Sequence, residues 1–141
     1  ERQQVLLGDD IDFMTDYMKL EKLCNPEFNF EVNILNEVRY IQVPPLLFMP
    51  IIEYAVRKEV ENEEGTEKHI AIRFQEKEEG LLFTCVYRCM EADTRQRMSQ
   101  TPVPALDQLQ KRLELLYPGH YLLENQYDHQ SSCTTSLKLM Q

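Results

Sequence analysis

Glycine is scarce in this sequence, with four in 141 residues: Gly8, Gly65, Gly80 and Gly119. Gly8 precedes a helical pattern, Gly65 and Gly80 fall in turns, and Gly119 closes a helix, so none is left to build a backbone cradle for phosphate. Basic residues are also in the minority, 15 Lys and Arg against 24 Asp and Glu, giving a formal net charge of −9. A field of that sign repels nucleic acid and anionic lipid and leaves protein surfaces as the expected partners. The acids are densest in EVENEEGTEK, residues 59–68, which reads as a solvated loop.

No apolar run approaches the roughly 20 residues that span a bilayer. The opening ERQQVLLGDD lacks the basic, apolar, small-residue order of a signal peptide. It also lacks an initiator Met, so the sequence reads as a single domain, 1–141, excised from a longer protein. The cysteines, Cys24, Cys85, Cys89 and Cys133, are spaced too widely for a zinc knuckle. They are expected to be buried reduced thiols, which implies a cytosolic setting. His69, His120 and His129 lie at strand or turn positions and read as ordinary surface or half-buried histidines, not phosphoacceptors.

What is present is ordinary globular patterning, 43% hydrophobic and 28% charged, with no linker-like tract. GDDIDFMTDYMKLEKLCNP carries Ile11, Met14, Tyr17, Met18 and Leu20 at helical offsets and stops at Asn25 and Pro26. FNFEVNI alternates Phe28, Phe30, Val32 and Ile34 against polar residues, as a half-buried strand requires. After the short extended run VRYIQVPP, a second helix is expected to start at Pro45. KHIAIRFQEK and LLFTCVYRC flank a turn as a hairpin, in which Ile70, Ile72 and Phe74 pair with Leu82, Thr84 and Val86 or in the alternate register.

MEADTRQRMSQTPVP reads as a long irregular connection. PALDQLQKRLELLYPG then sets Leu106, Leu109, Leu113 and Leu116 on one stripe of a third helix, and HYLLENQYD and CTTSLKLM form two last strands. Helices with a single apolar stripe must pack on a sheet, and the hairpins make that sheet mostly antiparallel. The expected fold class is α/β (α+β): a two-layer sandwich of a mixed sheet with about three helices on one face.

Three stretches in this order resemble the ATP-binding domain of sensor histidine kinases, the GHKL or Bergerat-fold ATPases, and in particular LytS-type kinases partnered with LytTR-type response regulators. They are DFMTDYMKLEKL followed by FNFEVNI, then VPPLLFMPIIEYAVRK, then LDQLQKRLELLYPGHYLL, and together they span most of the sequence. The second is similar to the family's Pro-Pro pair, apolar run, Gln-Pro, two aliphatics, Glu-Asn-Ala and Lys-His-Gly. The resemblance implies a Bergerat fold, protein-histidine kinase activity, and ATP with Mg²⁺.

The residues implied to carry that chemistry depart from the pattern. Tyr54 stands where the resemblance implies the Mg²⁺-ligating asparagine, and a phenol is a bulky, poor substitute for a hard oxygen ligand. Glu53 keeps the preceding acid, while Lys58 and Glu59 replace His-Gly. Arg88 matches the adenine-reading Asp or Asn but carries only donors; a slip of one residue would put Tyr87 or Cys89 there. Val103, Pro104 and Ala105 replace the Gly-x-Gly of the lid, and Gln108 matches the asparagine that follows.

The sequence therefore leads to a degenerate, pseudokinase-type domain expected to bind no cofactor and to act through protein contacts. Those contacts are with dimerisation helices of the parent protein, a second copy, or a response regulator, with the first and third helices as contact surfaces. It places the domain in the cytoplasm, as part of an inner-membrane sensor, without nucleic-acid or membrane contact of its own. The alternative is a working kinase domain in which Glu53 is the catalytic residue and Gln108, Lys58, Arg95 or Arg97 hold ATP and Mg²⁺ differently. A structural spacer is the third reading.

Overall fold

The computed structural model describes residues 3–35, 37–61, 68–78, 80–88, 104–128 and 132–140. A two-residue strand β1 (Val5–Leu6) leads into α1 (Leu7–Cys24), and β2 (Phe28–Leu35) follows. A 3-10 turn (Val38–Tyr40), β3 (Gln42–Val43) and α2 (Met49–Val60) come next, then β4 (Lys68–Lys77) and β5 (Gly80–Arg88). A second 3-10 turn (Pro104–Leu106) opens α3 (Asp107–Leu116), and β6 (Tyr121–Tyr127) and β7 (Ser132–Met140) complete the order.

The main sheet runs β2-β4-β5-β7-β6. β2 pairs with β4 in parallel and the other neighbours are antiparallel, so the sheet is mixed as expected. β1 and β3 form a separate antiparallel ribbon. The alternate register of the β4–β5 hairpin is the one adopted, with Ile72 opposite Cys85 and Phe74 opposite Phe83. That choice puts Leu81, Phe83, Cys85 and Tyr87 on the buried side and leaves Leu82, Thr84, Val86 and Arg88 on the other, since one residue of slip exchanges the two faces.

Three helices cover the buried side. α1 contributes Leu7, Ile11, Met14 and Met18, α2 contributes Ile51, Ile52, Ala55 and Val56, and α3 contributes Leu109 and Leu113. At the centre, Phe48 meets Phe74 edge-on at 5.3 Å and Phe83 at 4.9 Å, with Phe74 and Phe83 5.0 Å apart. Aromatic pairs at such spacings each add about 1 kcal/mol beyond their buried area.

α2 begins at Met49, not at Pro45. The intervening turn holds Leu46 at φ 58°, a left-handed conformation no helix tolerates. Tertiary contacts fix that turn: the Asp10 carboxylate accepts the Leu46 amide at 2.8 Å, and the Arg112 guanidinium donates to the Pro45 carbonyl at 2.9 Å. Pro50 supplies the proline in the first helical turn instead.

Two further expectations are corrected. Glu59, the first residue of the acidic run, is buried at 1% exposure, not solvated. Cys133 is disulfide-bonded, so it is not the reduced thiol expected; Cys24 is free but exposed, not buried, Cys85 is free and buried, and Cys89 lies outside the described residues. Burial drives the Cys85 thiol far above its usual range, which makes it an inert apolar group.

Candidate functional site

The positions singled out by the motif resemblance centre on α2, which packs on β5 and β4. Apolar residues at 51, 52, 55 and 56 turn one side of α2 to the sheet, and Tyr54 follows them in at 3% exposure. Its ring meets Tyr87 of β5 edge-on, with centroids 5.9 Å apart and planes at 89°. Two cations of the next helical turn lie by the same ring, the Arg57 guanidinium at 5.7 Å and the Lys58 ammonium at 5.6 Å. Lys58 also pairs with Glu61 at 3.7 Å.

Beneath the two tyrosines runs a short polar relay. Thr135 is fully buried on β7 and donates its hydroxyl to Asn125 Oδ1 of β6 at 2.6 Å. A hydroxyl has one proton to give, so the 3.0 Å contact between Tyr87 and Thr135 has Tyr87 as donor. The order Tyr87 to Thr135 to Asn125 ties three neighbouring strands together on the core side.

Glu59 sits one helical turn beyond Tyr54 and Ala55, on the buried side of α2. Its Oε1 accepts the His69 amide at 3.2 Å, and its Oε2 accepts the Arg88 amide. The register that sets Ala71 opposite Val86 would next bring His69 opposite Arg88. The last described pair of the ladder is Ala71–Val86, and the carboxylate takes up both amides beyond it. Burial is the largest influence on Glu59 and raises its pKa, with the two amides pulling in the opposite direction.

The other residues singled out in the sequence are more scattered. Glu53 is exposed on the outer side of α2. There, after burial and Glu21, its charge helps raise the pKa of the Tyr17 phenol on α1. Arg88 turns its side chain to the exposed side of β5, opposite Tyr87. Pro104 and Ala105 are exposed in the 3-10 turn that packs by α2, and Gln108 is exposed in the first turn of α3. Val103, Arg95 and Arg97 lie outside the described residues.

Tyr54 and Lys58 are thus brought together, while Glu53 and the Arg88 side chain point elsewhere. Sequence reasoning did not single out Thr135, Asn125 or the Glu59 clasp. The alternation of β7 places Thr135 on the apolar side with Cys133 and Leu137, and that was the signal available. Among the described residues no group of three or more His, Cys, Asp or Glu is placed to hold a metal ion. Likewise, no described helix is long and apolar enough to cross a membrane.

No family model and no curated protein matches the chain. Solved structures do. The catalytic domain of histidine kinase ThkA, nucleotide-free, superposes with a TM-score of 0.66 at 9% identity over 99% of this chain and 95% of that one. The cytoplasmic segment of histidine kinase QseC gives 0.65 at 10% identity over 99% and 78%. ThkA in complex with the response regulator protein TrrA gives 0.64 at 11% identity, covering 98% of this chain and 41% of that one. The fold is therefore that of histidine-kinase catalytic domains, with a mixed five-stranded sheet under three helices.

Proposed function

We propose that this chain is a histidine-kinase-type domain of a two-component signalling protein, of the LytS-type kind, that has lost the usual nucleotide chemistry and works through protein contacts. The observation that carries this reading is the burial of Tyr54 against Tyr87. The resemblance puts a magnesium-ligating asparagine there, pointing toward phosphates. A phenol packed on a second aromatic ring and lying by two cations is not a compact hard donor, and these residues do not fit magnesium. The exposed Arg88 side chain, on the opposite side of β5 from Tyr87, adds no acceptor for an adenine amino group.

The partners under this reading are dimerisation helices of the parent protein, a second copy, or a response regulator, the last by analogy with the ThkA complex. The same reading places the domain on the cytoplasmic side of an inner-membrane sensor; its cytoplasmic part is supported by analogy with QseC, solved as a cytoplasmic segment.

The second reading, a working kinase domain with an altered pocket, draws on Arg57 and Lys58. Two cations gathered at one ring could meet phosphate once the ring moved aside. Calorimetric titration with Mg-ATP at millimolar concentration separates the two. The proposal expects no saturable heat, and a saturable isotherm that disappears without Mg²⁺ would establish the second reading in its place.

A further inference from the structure

α1 carries apolar side chains on both of its sides. The inner row, Leu7, Ile11, Met14 and Met18, is buried in the core. On the outer side Phe13 is 51% exposed and Leu20 63%, each two residues, or about 200° around the axis, beyond a member of that inner row. Leu6, at the N-cap, is 41% exposed, and Leu23, in the last turn, 78%. Of the nine large apolar side chains exposed among the described residues, four therefore stand on α1 and its cap, where they form one surface and not scattered exceptions.

The spacing of that surface is regular. Leu6, Phe13 and Leu20 are seven residues apart, which keeps them within about 40° of one line. Asp9, Asp16 and Leu23 repeat the interval three positions on, so the outer side of α1 has the a and d rows of a coiled-coil seam, with carboxylates at two d positions. Both acids are exposed, and neither has an ion pair or hydrogen bond among the described residues, whereas Asp12 pairs with Arg39 at 2.8 Å. Lys22 is engaged by the carbonyls of Pro26 and Phe28, and Lys19 stands about 100° round the axis from Leu20. The seam thus carries negative charge and no base of its own.

We propose that this seam docks an amphipathic helix of a partner protein whose apolar stripe is flanked by Lys or Arg. From Leu6 to Leu23 the seam runs roughly 25 Å at the usual rise, which a partner helix of about five turns covers. The apolar stripe packs on Phe13 and Leu20, where removal from water drives association, and the flanking bases meet Asp9 and Asp16. A partner without those bases would bury two carboxylates unpaired, which is costly. A second copy of this chain brings the same acids to the contact, and an anionic lipid surface is repelled, so neither fits. The inference rests on the part of the reading above that gives the domain protein partners, and it adds the surface and the charge of the partner.

The test is an NMR titration of the 141-residue chain with a capped peptide of three heptads, Leu at each a and d position and Lys at each e and g, beside the same peptide with Glu for every Lys. The like charges at e and g also keep each peptide from pairing with itself. The Lys peptide is expected to give saturable shifts centred on Phe13 and Leu20, and the Glu peptide none. Phe13→Ser with Leu20→Ser, both at exposed positions, should weaken binding about tenfold or more, and Asp9→Asn with Asp16→Asn about three- to tenfold. Glu27→Gln with Glu124→Gln removes the same charge from exposed positions off α1 and should change nothing. The proposal is overturned by absent shifts, by shifts centred away from α1, by equal binding of the Glu peptide, or by equal losses in the two acid pairs. Self-association of the free chain, or its sedimentation with phosphatidylglycerol vesicles, abolished by Phe13→Ser with Leu20→Ser, overturns it in favour of those occupants. A saturable Mg-ATP isotherm would defeat only the nucleotide part of the earlier reading and leave this seam standing, so the two failures are told apart.

Discussion

The Glu59 carboxylate, at the end of α2, holds the backbone amide of Arg88 at the end of β5. Its second oxygen holds the amide of His69 on β4. One side chain thus takes up two strand amides that would face each other across an extended ladder, and it fastens α2 to the sheet at the same point.

Truncating that side chain should be costly. Glu59→Ala leaves two amides without their acceptor in a buried place, and each such loss costs about 1 to 3 kcal/mol. The expected outcome is a fall of about 3 kcal/mol in unfolding free energy, read as a lower urea midpoint with an unchanged slope. An effect within experimental error of zero would show that the clasp contributes nothing.

The same residue gives a pH signature. Burial raises the Glu59 pKa above the usual glutamate range, so the folded state takes up its proton before the unfolded chain does. This contribution to stability is fully present below the unfolded pKa and is lost as pH rises through the folded one. Asp10, raised by burial above 3.8, acts in the same sense. Glu31 is held low by the hydrogen bond from His69 and acts in the opposite sense. Denaturation midpoints of wild type and Glu59→Gln, compared from pH 4 to pH 7, isolate the Glu59 part. The stability advantage of wild type, whatever its size, should shrink with rising pH.

Replacing Tyr54 with the asparagine of the family pattern should not restore a site. Tyr54→Asn removes a buried ring from between Tyr87 and the core of α2, a loss of about 3 kcal/mol by analogy with large-to-small aromatic truncations. Thermal unfolding should move to lower temperature, and Mg-ATP should not move it back. Recovery of stability with nucleotide would count against the degenerate reading.

Leu46 and Gly80 test the backbone. At φ 58° a branched side chain is more strained than leucine, so Leu46→Ile should lose more than about 1 kcal/mol while Leu46→Gly is tolerated. Gly80 has φ 151°, and a Cβ there would come within 1.8 Å of the Leu139 carbonyl oxygen. Gly80→Ala should therefore cost more than Leu46→Ile in the same urea assay, because the obstacle is the backbone of β7.

The elements that could be read from sequence are those whose burial follows a simple period. Phe28 to Leu35, the two arms of the hairpin and the leucine stripe of α3 all fold as their spacing requires. Pro45 misled because a proline before an apolar run signals a helix start, whereas Asp10 and Arg112, distant in sequence, hold that stretch as a turn. Glu59 misled for the converse reason. It opens a run of acids, and its charge outweighed the helical offset from Ile52, Ala55 and Val56 that puts it on the buried side of α2. In the candidate site, the positions resembling a motif could be named, but the direction of each side chain needed the register. Arg88 and Tyr87 are neighbours on β5 and face opposite ways.

The parallel pairing of β2 with β4 has a kinetic consequence. Each of its partners, Phe28 and Lys68 among them, is separated by forty positions, whereas the β4–β5 and β6–β7 ladders close over short connections. Closing the larger loop costs more chain entropy before any contact repays it, so β2 docks late on a nucleus already formed by its neighbours. As one of the two edge strands of the main sheet it is expected to open before the centre, and deuterium should enter its amides sooner than those of β5.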